Sequence, residues 1–173
     1  MDVVETARLL HLEDSAVRWV LVGDGEIRPK LQKRIADYEL AEYVRLLPLQ
    51  PEDQMSAMFS SADVLLLSQL ATVQDTVIPG KLITYLAAGR PVLAAADSSS
   101  QSAVLLRETG GGIIVPPENP SELAATVRGL RTDPKVLEEM GQRNRRYAEE
   151  HFDWNNNLAA QESFLKNIVS EAA

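Results

Sequence analysis

The chain has 173 residues, a hydrophobic fraction of 45% and a formal net charge of −8. This length suits one domain with a buried core, so we treat residues 1–173 as a single domain. The absence of cysteine excludes disulfides, thiol nucleophiles and thiolate metal sites. The acidic charge argues against a general nucleic-acid binder, because such binding relies on Lys and Arg contacts to phosphate.

The chain shows neither a signal-peptide pattern nor an apolar stretch near the roughly 18–20 residues that a membrane span needs. We therefore expect a cytoplasmic protein, either free or held at the inner face of a membrane by a partner.

Short β-rich runs alternate with helical patterns along most of the chain. After an amphipathic helix at residues 2–11, the predicted strands are 17–22, 44–47, 63–67, 91–96 and 112–115. Strands that alternate with helices predict an α/β fold with a doubly wound parallel sheet, which is Rossmann-like. Asn119-Pro120 and Asp133-Pro134 have the pattern of an N-cap and an N1 proline, and each predicts a further helix. A terminal helix is predicted within residues 155–173.

The predicted order of elements is unusual at its start. Doubly wound domains usually open with a strand, and in the common order 3-2-1-4-5-6 that strand is central. Here a helix comes first, which indicates a fragment whose first strand is missing. We therefore expect an unpaired gap between strands 17–22 and 63–67, filled by a rearranged segment or by self-association with a second molecule.

The first candidate site follows the strand 17–22, where Gly23-Asp24-Gly25 leads into a helix. Glycines at such a turn let a phosphate approach the backbone closely. Arg28 stands where a dinucleotide-binding fingerprint needs glycine, and Pro48 closes the next strand where an acid is needed. A nicotinamide cofactor is therefore not expected. A tight strand-to-helix turn that binds nothing is the alternative.

The second candidate site is Pro79-Gly80-Lys81, which opens a helix that ends at Gly89. Free N–H groups and the positive end of the helix dipole favour an anion there. Gly80 permits close approach, and Lys81 adds a point charge. The position also lies at the carboxyl end of a strand, where open α/β sheets bind ligands. The alternative is an ordinary loop with Lys81 in solvent.

Other patterns offer no second chemistry. His11 and His151 lack the spacing of a metal pair, and no metal site is predicted. The serines at 98–100 are better interpreted as a polar loop that caps the next helix than as a phosphate site. The basic residues of 143–146 lie among glutamates and predict a solvated helix face.

Five segments of the chain together form a familiar pattern: Val-Leu-Val-Gly-Asp-Gly (20–25), Val-Arg-Leu-Leu-Pro-Leu-Gln-Pro (44–51), Ala-Asp-Val-Leu-Leu-Leu (62–67), Ala-Ala-Gly-Arg-Pro-Val-Leu-Ala (87–94) and Gly-Gly-Ile-Ile-Val-Pro-Pro-Glu-Asn-Pro (111–120). They resemble the C-terminal domain of group-1 (family 4) glycosyltransferases, over nearly the whole chain. Leu-Pro-Leu-Gln-Pro with Asp75 and Pro79-x-Lys81-Leu82 is similar, more narrowly, to the colanic-acid biosynthesis branch.

The resemblance implies the C-terminal half of a GT-B architecture, in which this domain holds a UDP- or GDP-sugar. It also implies a reaction that retains anomeric configuration and uses no metal or other cofactor, with Lys81 as the catalytic cation that stabilises the departing diphosphate. The donor-binding residues are then Gly23, Gly25, Leu49, Gln50, Asp75, Pro79, Gly80, Leu82 and Thr84.

Some of these roles depend on the resemblance alone. Main-chain groups of Leu49-Gln50 are expected to contact the base. Where many family members have two glutamates separated by seven residues, this chain has Thr76 and Thr84, and Asp75 is the nearby acid of this branch. Gly80 stands where the branch is expected to have serine.

The implied function is donor binding for a glycosyltransferase of the hexosyltransferase type that acts on a polysaccharide or lipid-linked acceptor. The acceptor would be bound by an N-terminal domain outside this chain, so the chain alone is expected to bind donor weakly and transfer no sugar. The alternatives are a GT-B-type nucleotide-sugar epimerase and a non-catalytic binding or assembly module.

Overall fold

The computed structural model describes residues 2–13, 16–72 and 77–171. Helices and strands alternate as the sequence predicts, with strand boundaries shifted by one or two residues. In chain order the elements are α1 (Asp2–Glu13), β1 (Trp19–Val22), α2 (Arg28–Asp37), β2 (Val44–Leu47), α3 (Glu52–Ser60), β3 (Leu65–Ser68), α4 (Gly80–Ala87), β4 (Val92–Ala95), α5 (Gln101–Thr109), β5 (Gly112–Val115), α6 (Pro120–Arg131), α7 (Pro134–His151) and α8 (Trp154–Glu171).

All strand pairs in the described part of the chain are parallel. One sheet has two strands, β1 and β2, and the other has three in the order β3-β4-β5. Trp19 lies opposite Val44 in the first sheet, and Leu65 lies opposite Val92 in the second. The prediction of an α/β fold with a parallel sheet is therefore confirmed.

The sheet is divided where the sequence predicts a gap. Within the described ranges, β1 pairs only with β2, and β3 pairs only with β4. Each therefore presents one edge whose backbone groups have no ladder partner in these segments.

The larger sheet has helices on both faces. All four residues of β4 are buried, and they alternate between two apolar clusters. Val92 and Ala94 belong to a cluster with side chains of α4 and α5, whereas Leu93 and Ala95 belong to one with side chains of α6. A strand covered on both faces is expected to be apolar without interruption, and β4 is.

The smaller sheet has its own core. Val4 and Ala7 of α1 pack with Ile35 of α2 and with Val44 of β2. Helix α1 also packs against α6, and the hydroxyl of Thr6, which is fully buried, donates to the Pro120 carbonyl at 3.4 Å. The first helix was predicted to be amphipathic, and it buries its apolar face.

Side chains cap three helices as the sequence predicts. The carbonyl of the Asn119 side chain accepts the Glu122 amide at 3.1 Å, and the Asp133 carboxylate accepts the Val136 amide at 3.1 Å. Ser100 caps α5 through the Ala103 amide at 3.2 Å, which confirms the capping role of the serine run. Gly89 follows α4 at a φ of +66°, a conformation that strongly favours glycine.

Helix α7 lies unusually close to the bends that precede β4 and β5. The fully buried Asn144 donates its side-chain amide to the carbonyls of Arg90 and Gly111, at 2.8 Å each. A Cβ atom on Gly141 would lie 2.3 Å from the Gly89 carbonyl oxygen. The absence of a side chain at Gly141 therefore sets how closely α7 approaches the end of α4.

Helix α8 begins one residue before the predicted start of the terminal helix. It exposes a series of large apolar side chains, namely those of Trp154, Leu158, Phe164, Leu165 and Ile168. Across the described ranges, none of the helices combines the length and the apolar character that crossing a membrane demands.

The contact between α7 and α4 can be tested with two glycines that both lie within helices. Alanine at Gly141 would collide with backbone, and we expect Gly141→Ala to destabilise the fold by about 1–3 kcal/mol. A Cβ at Gly129 in α6 meets nothing within 4 Å, so Gly129→Ala is expected to stabilise by about 0.5–1 kcal/mol through helix propensity. Urea unfolding followed by circular dichroism measures both. Similar shifts for the two variants would contradict the close contact.

Candidate functional site

The loop after β1 requires glycine at its first residue. Gly23 has a φ of +141°, which side chains rarely adopt, and its amide donates to the Leu47 carbonyl at 3.0 Å. Gly25 has ordinary backbone geometry, and a Cβ there would meet nothing within 4 Å. The two predicted site glycines therefore differ: the backbone needs Gly23, whereas Gly25 leaves open space.

Arg28 and Asp24 tie the ends of β1 and β2 together, and we call these two side chains the Arg28 clamp. The Arg28 guanidinium donates to the carbonyls of Gly23 at 2.7 Å, Leu47 at 2.9 Å and Leu46 at 3.2 Å. It also lies 3.3 Å from the Asp24 carboxylate. Asp24 in turn accepts the Leu49 amide at 2.9 Å. These contacts therefore link the loop after β1 to the loop after β2.

In the segment after β2, the backbone polar groups of one residue have no hydrogen-bond partner among the described residues. The Leu49 amide is engaged by Asp24, and the side-chain amide of Gln50 donates to the Pro48 carbonyl at 2.8 Å. Within the described part of the chain, the backbone N–H and C=O of Gln50 have no hydrogen-bond partner. This residue therefore offers one backbone donor and one backbone acceptor.

Helix α4 begins without a side-chain cap. Pro79 is its N-cap residue, and the Leu82 amide bonds back to the Pro79 carbonyl at 2.9 Å. The amides of Gly80 and Lys81 have no partner among the described residues, and the Lys81 side chain is exposed. Two free N–H groups, a positive dipole end and an ammonium group therefore lie together, which suits an anion.

The start of α4 differs from those of the three helices that follow it. Ser100, Asn119 and Asp133 each supply an oxygen to the first turn of α5, α6 and α7. The first turn of α4 has no such oxygen and no acidic residue. An external anion would supply the acceptor that these other helices carry within the chain.

The remaining predicted residues of α4 make contacts within the chain. Leu82 is fully buried, so its side chain anchors the helix in the core rather than facing a ligand. The Thr84 hydroxyl donates to the Gly80 carbonyl at 3.1 Å. Tyr85 packs edge-on against Phe59, and burial raises the pKa of its phenol. A Cβ at Gly80 would meet nothing within 4 Å, so the chain has room there for the expected serine.

The loop after β4 carries a carboxylate that is already engaged. Asp97 accepts the hydroxyl of Ser99 at 2.5 Å and its amide at 2.7 Å. These two donors hold the pKa of Asp97 below its usual range. The negative charge of Asp97 disfavours an anion in this loop, in contrast to the start of α4.

Two of the predicted polar residues, Asp75 and Thr76, lie outside the described residues. The described ranges contain no group of three or more His, Asp or Glu side chains arranged to hold a metal ion. His11 packs against the ring of Tyr43 at 3.9 Å between ring centroids, and His151 stacks on Tyr147 at 4.0 Å. Both histidines thus make packing contacts.

A groove of about 730 Å³ lies at the opposite end of α4, beside Gly89 and Gly141. Its charged groups have both signs: Arg90, Arg145 and Arg146 with Asp63, Glu138 and Glu149. This mixture offers no excess charge for an anion, and the groove is far along the helix from the Lys81 end.

Sequence reasoning missed the Arg28 clamp. Arg28 entered it only as the residue that breaks a dinucleotide fingerprint, and Asp24 only as part of the glycine turn. The usable signal was an arginine four residues after an aspartate across a turn, next to strand ends whose carbonyls need donors.

Comparison with known proteins finds one matching family and several similar glycosyltransferases. The model of the family described as glycosyl transferases group 1 matches residues 2–133. The chain is similar to the amylovoran biosynthesis glycosyltransferase AmsK of Erwinia amylovora, with 27% identity over 97 residues. It is also similar to the putative colanic acid biosynthesis glycosyltransferase WcaL of Escherichia coli K12, with 29% identity over 97 residues. Each alignment covers 55% of this chain and 24% of the relative, so the chain spans about a quarter of these relatives' length.

Solved structures share the fold. Anabaena HepE in complex with UDP matches with a TM-score of 0.75 and 18% identity, over 96% of this chain and 44% of that one. The C-terminal domain of the glycosyl transferase group 1 family protein LpcC from Francisella tularensis matches with a TM-score of 0.72 and 12% identity, over 88% of this chain and 78% of that one. At these identities the likeness concerns the fold. It confirms the prediction of the C-terminal half of a GT-B architecture.

The different roles of the two turn glycines can be measured in the free protein. Because of its φ, Gly23→Ala is expected to destabilise the fold by about 1–3 kcal/mol. Gly25→Ala is the matched control, and its stability should change by less than about 0.5 kcal/mol, since the added methyl meets open space. Urea unfolding provides both values. A larger loss for Gly25→Ala than for Gly23→Ala would contradict the loop geometry.

Proposed function

Because this chain belongs to the group 1 glycosyltransferase family, we propose that it binds the nucleoside-diphosphate part of an activated sugar for a glycosyltransferase. The single observation that carries the proposal is the uncapped start of α4. The free amides of Gly80 and Lys81 and the exposed Lys81 ammonium meet there, at the carboxyl end of β3. Anabaena HepE, which shares the fold, was crystallised with UDP and with UDP-glucose, and this supports a nucleotide-sugar ligand.

The proposed chemistry is a transfer with retention of anomeric configuration. As the bond between the sugar and the diphosphate breaks, negative charge grows on the leaving diphosphate. The Lys81 ammonium and the N–H groups at 80–81 would stabilise that charge, and the N–H groups are held in place by a helix whose core residues are buried. Lys81 is thus the proposed catalytic residue, and the reaction proposed here uses no metal ion or other cofactor.

The rest of the donor would extend towards β1 and β2. The glycines at 23 and 25 allow the ligand close to the backbone, and main-chain groups of Leu49 and Gln50 would contact the base. Since the Leu49 amide is held by Asp24, the free N–H and C=O of Gln50 are the groups best placed for hydrogen bonds. Thr84 and Asp75 are the proposed neighbours of the ribose, and the helix start at Pro79–Leu82 is the proposed neighbour of the diphosphate.

The acceptor is proposed to be a growing polysaccharide or a lipid-linked glycan, bound by an N-terminal domain across the GT-B cleft. The curated relatives are named for amylovoran and colanic acid biosynthesis, which supports this class of acceptor. The proposed location is the cytoplasm, either free or at the inner face of the membrane. On this proposal the chain by itself, as one domain, binds donor weakly and transfers no sugar.

Self-association through the sheet gap is a further part of the proposal. Within the described ranges, β1 and β3 each have an edge without a strand partner. A strand of a second molecule could pair with either edge. Sedimentation velocity across a hundredfold range of concentration tests this, and a monomer at every concentration would reject it.

The role of Lys81 has a matched control in Lys135, because each lysine is the second residue of a helix. We expect Lys81→Ala to weaken UDP binding about tenfold, through loss of a charge-assisted contact to phosphate. Lys135→Ala should leave the Kd within about twofold, since the start of α7 is already capped by Asp133. Isothermal titration calorimetry at fixed ionic strength measures both. Equal losses for the two variants would indicate a general charge effect and reject the site.

The same titrations, together with assays of sugar transfer and of nucleotide-sugar interconversion, separate the alternative functions. Binding of UDP or GDP without sugar transfer to any acceptor fits the donor-binding role of the isolated chain. Interconversion of two nucleotide sugars by the chain would favour the epimerase. No binding to UDP, GDP or their sugars would favour a non-catalytic module.

A further inference from the structure

We propose that helix α8 binds the α8 helix of a second copy of this chain, so that two copies associate through antiparallel terminal helices. The inference goes beyond donor binding and does not depend on it. It also concerns a surface that is separate from the sheet edges of β1 and β3.

The side chains of helix α8 are exposed along most of its length. Every residue between 154 and 168 whose side chain is described is exposed. Helices in proteins gain most of their stability by packing an apolar face, and an isolated helix of this length is only marginally stable in water. We therefore expect a surface from outside this domain to cover α8.

The large apolar side chains of α8 lie on one stripe, which we call the α8 stripe. At 3.6 residues per turn, its members fall within about 120° around the helix axis, centred on Gln161. They are Trp154, Leu158, Phe164, Leu165 and Ile168, with exposed fractions between 47% and 76%. From Trp154 to Ile168, positions at spacings of four, three, four and three residues follow one another through Gln161, as in the seam of a coiled coil.

The polar face of α8 favours a protein partner over a membrane surface. Helices that lie on a membrane usually carry several Lys and Arg residues on their polar face. The sequence of α8 contains a single cation, Lys166, and its ammonium lies 2.7 Å from the Glu162 carboxylate. The net charge of −8 also opposes binding to anionic lipids.

The positions of the apolar residues suit a second copy of the same helix. Trp154 and Ile168 lie seven residues before and after Gln161. Leu158 lies three residues before it, and Leu165 lies four residues after it. In two antiparallel helices centred on Gln161, Trp154 of one copy therefore lies opposite Ile168 of the other. By the same geometry, Leu158 lies opposite Leu165, and the contact is isologous, as in a dimer with twofold symmetry.

Gln161 is the polar residue of this seam, and it fixes the register. Its side-chain amide has donors and an acceptor, so two copies of it can hydrogen-bond each other across the twofold axis. A single polar residue in an apolar seam specifies the alignment, because a shifted pairing would place it against apolar side chains.

The position of the rest of the domain favours the antiparallel arrangement. Helix α8 follows α7 after a short break at residues 152–153, so the domain lies at the amino end of α8. Parallel helices, packed about 8–10 Å apart, would bring two domains against each other at that end. Antiparallel helices separate the domains by the length of α8, which is roughly 27 Å for 18 residues.

The α8 stripe is large enough for a stable contact. A Trp or Phe side chain buries about 150–250 Å², so the four aromatic rings of a pair account for about 600–1,000 Å². Together with the aliphatic side chains of the two stripes, this approaches the about 1,200–2,000 Å² of a specific interface.

The first experiment measures dimerisation of the full chain by sedimentation velocity over a hundredfold range of concentration. The variant is the double substitution Leu158→Gln and Leu165→Gln, which keeps good helix formers but removes apolar area from the seam. We expect wild-type protein to dimerise, and the double variant to dimerise at least about a hundredfold more weakly. Leu12→Gln is the matched control, because Leu12 is 73% exposed in another helix, and its dimerisation constant should stay within about twofold.

The second experiment tests the antiparallel arrangement by disulfide crosslinking, since the chain has no cysteine of its own. Gln161→Cys places two thiols at the twofold axis, where a disulfide can form. Ile168→Cys places its two thiols about 21 Å apart along antiparallel helices, but side by side in a parallel pair. Under mild oxidation we therefore expect disulfide-linked dimers for Gln161→Cys and not for Ile168→Cys.

Several outcomes would overturn the inference. One is a monomer at every concentration, and another is a dimer that the double variant leaves unchanged, which would assign association to the sheet edges. Crosslinking of both cysteine variants, or of neither, would reject the antiparallel pair. Binding of the monomeric chain to phosphatidylcholine vesicles, lost in the double variant, would assign the α8 stripe to a lipid surface instead.

Discussion

Asn144 holds helix α7 against the bends that enter β4 and β5, and the arrangement of the larger sheet depends on this contact. One side-chain amide bonds two backbone carbonyls, of Arg90 and Gly111, in a fully buried setting. A buried carbonyl left without a donor costs about 1–3 kcal/mol. Removing this amide would take the donor from the Arg90 carbonyl, whereas the Gly111 carbonyl would keep the Val92 amide at 3.1 Å. A Cβ on Gly111 would lie 2.0 Å from the Asn144 side-chain oxygen, so the position accepts only glycine while Asn144 stays in place. The contact thus constrains three segments that are far apart in the chain.

The two ends of α4 have different tasks. At its carboxyl end, the Arg145 guanidinium donates to the Ala87 carbonyl at 2.6 Å, and Gly89 packs against Gly141. The Arg145 contact supplies a donor to one of the carbonyls that every helix leaves open at its last turn. At its amino end the corresponding N–H groups of Gly80 and Lys81 stay open. The carboxyl end of α4 is therefore anchored by contacts with α7. The N–H groups at its amino end, where we propose that the diphosphate binds, have no partner among the described residues.

What the sequence could predict was largely local. The caps at Asn119 and Asp133 and the glycine after α4 involve residues within a few positions of one another, so residue type and spacing were sufficient. The Arg28 clamp joins residues 18 and 19 positions apart, and Asn144 reaches Arg90 over 54 positions, so neither leaves a periodic pattern. The basic cluster around Arg145 was predicted to be a solvated face, which is correct for exposure but misses its bonds to backbone carbonyls. For the site, the sequence located the start of α4 and the turn after β1, but not that Asp24 already engages the Leu49 amide.

The division of the sheet has a consequence for any ligand that contacts both candidate regions. Gln50 follows β2 in the smaller sheet, whereas Lys81 begins the helix after β3 in the larger one. No strand ladder in the described ranges joins these sheets, and they are linked instead by the packing of α1 on α6, where Thr6 bonds Pro120. A nucleoside diphosphate with its base at Gln50 and its phosphates at Lys81 would contact both sheets. Within the described ranges, the two sheets and their cores share no backbone hydrogen bonds. The affinity of such a ligand would then include the free energy of holding the two sheets in register, a term that neither Lys81 nor the Arg28 clamp determines alone. The buried α1–α6 contact is one part of the fold that contributes to this term.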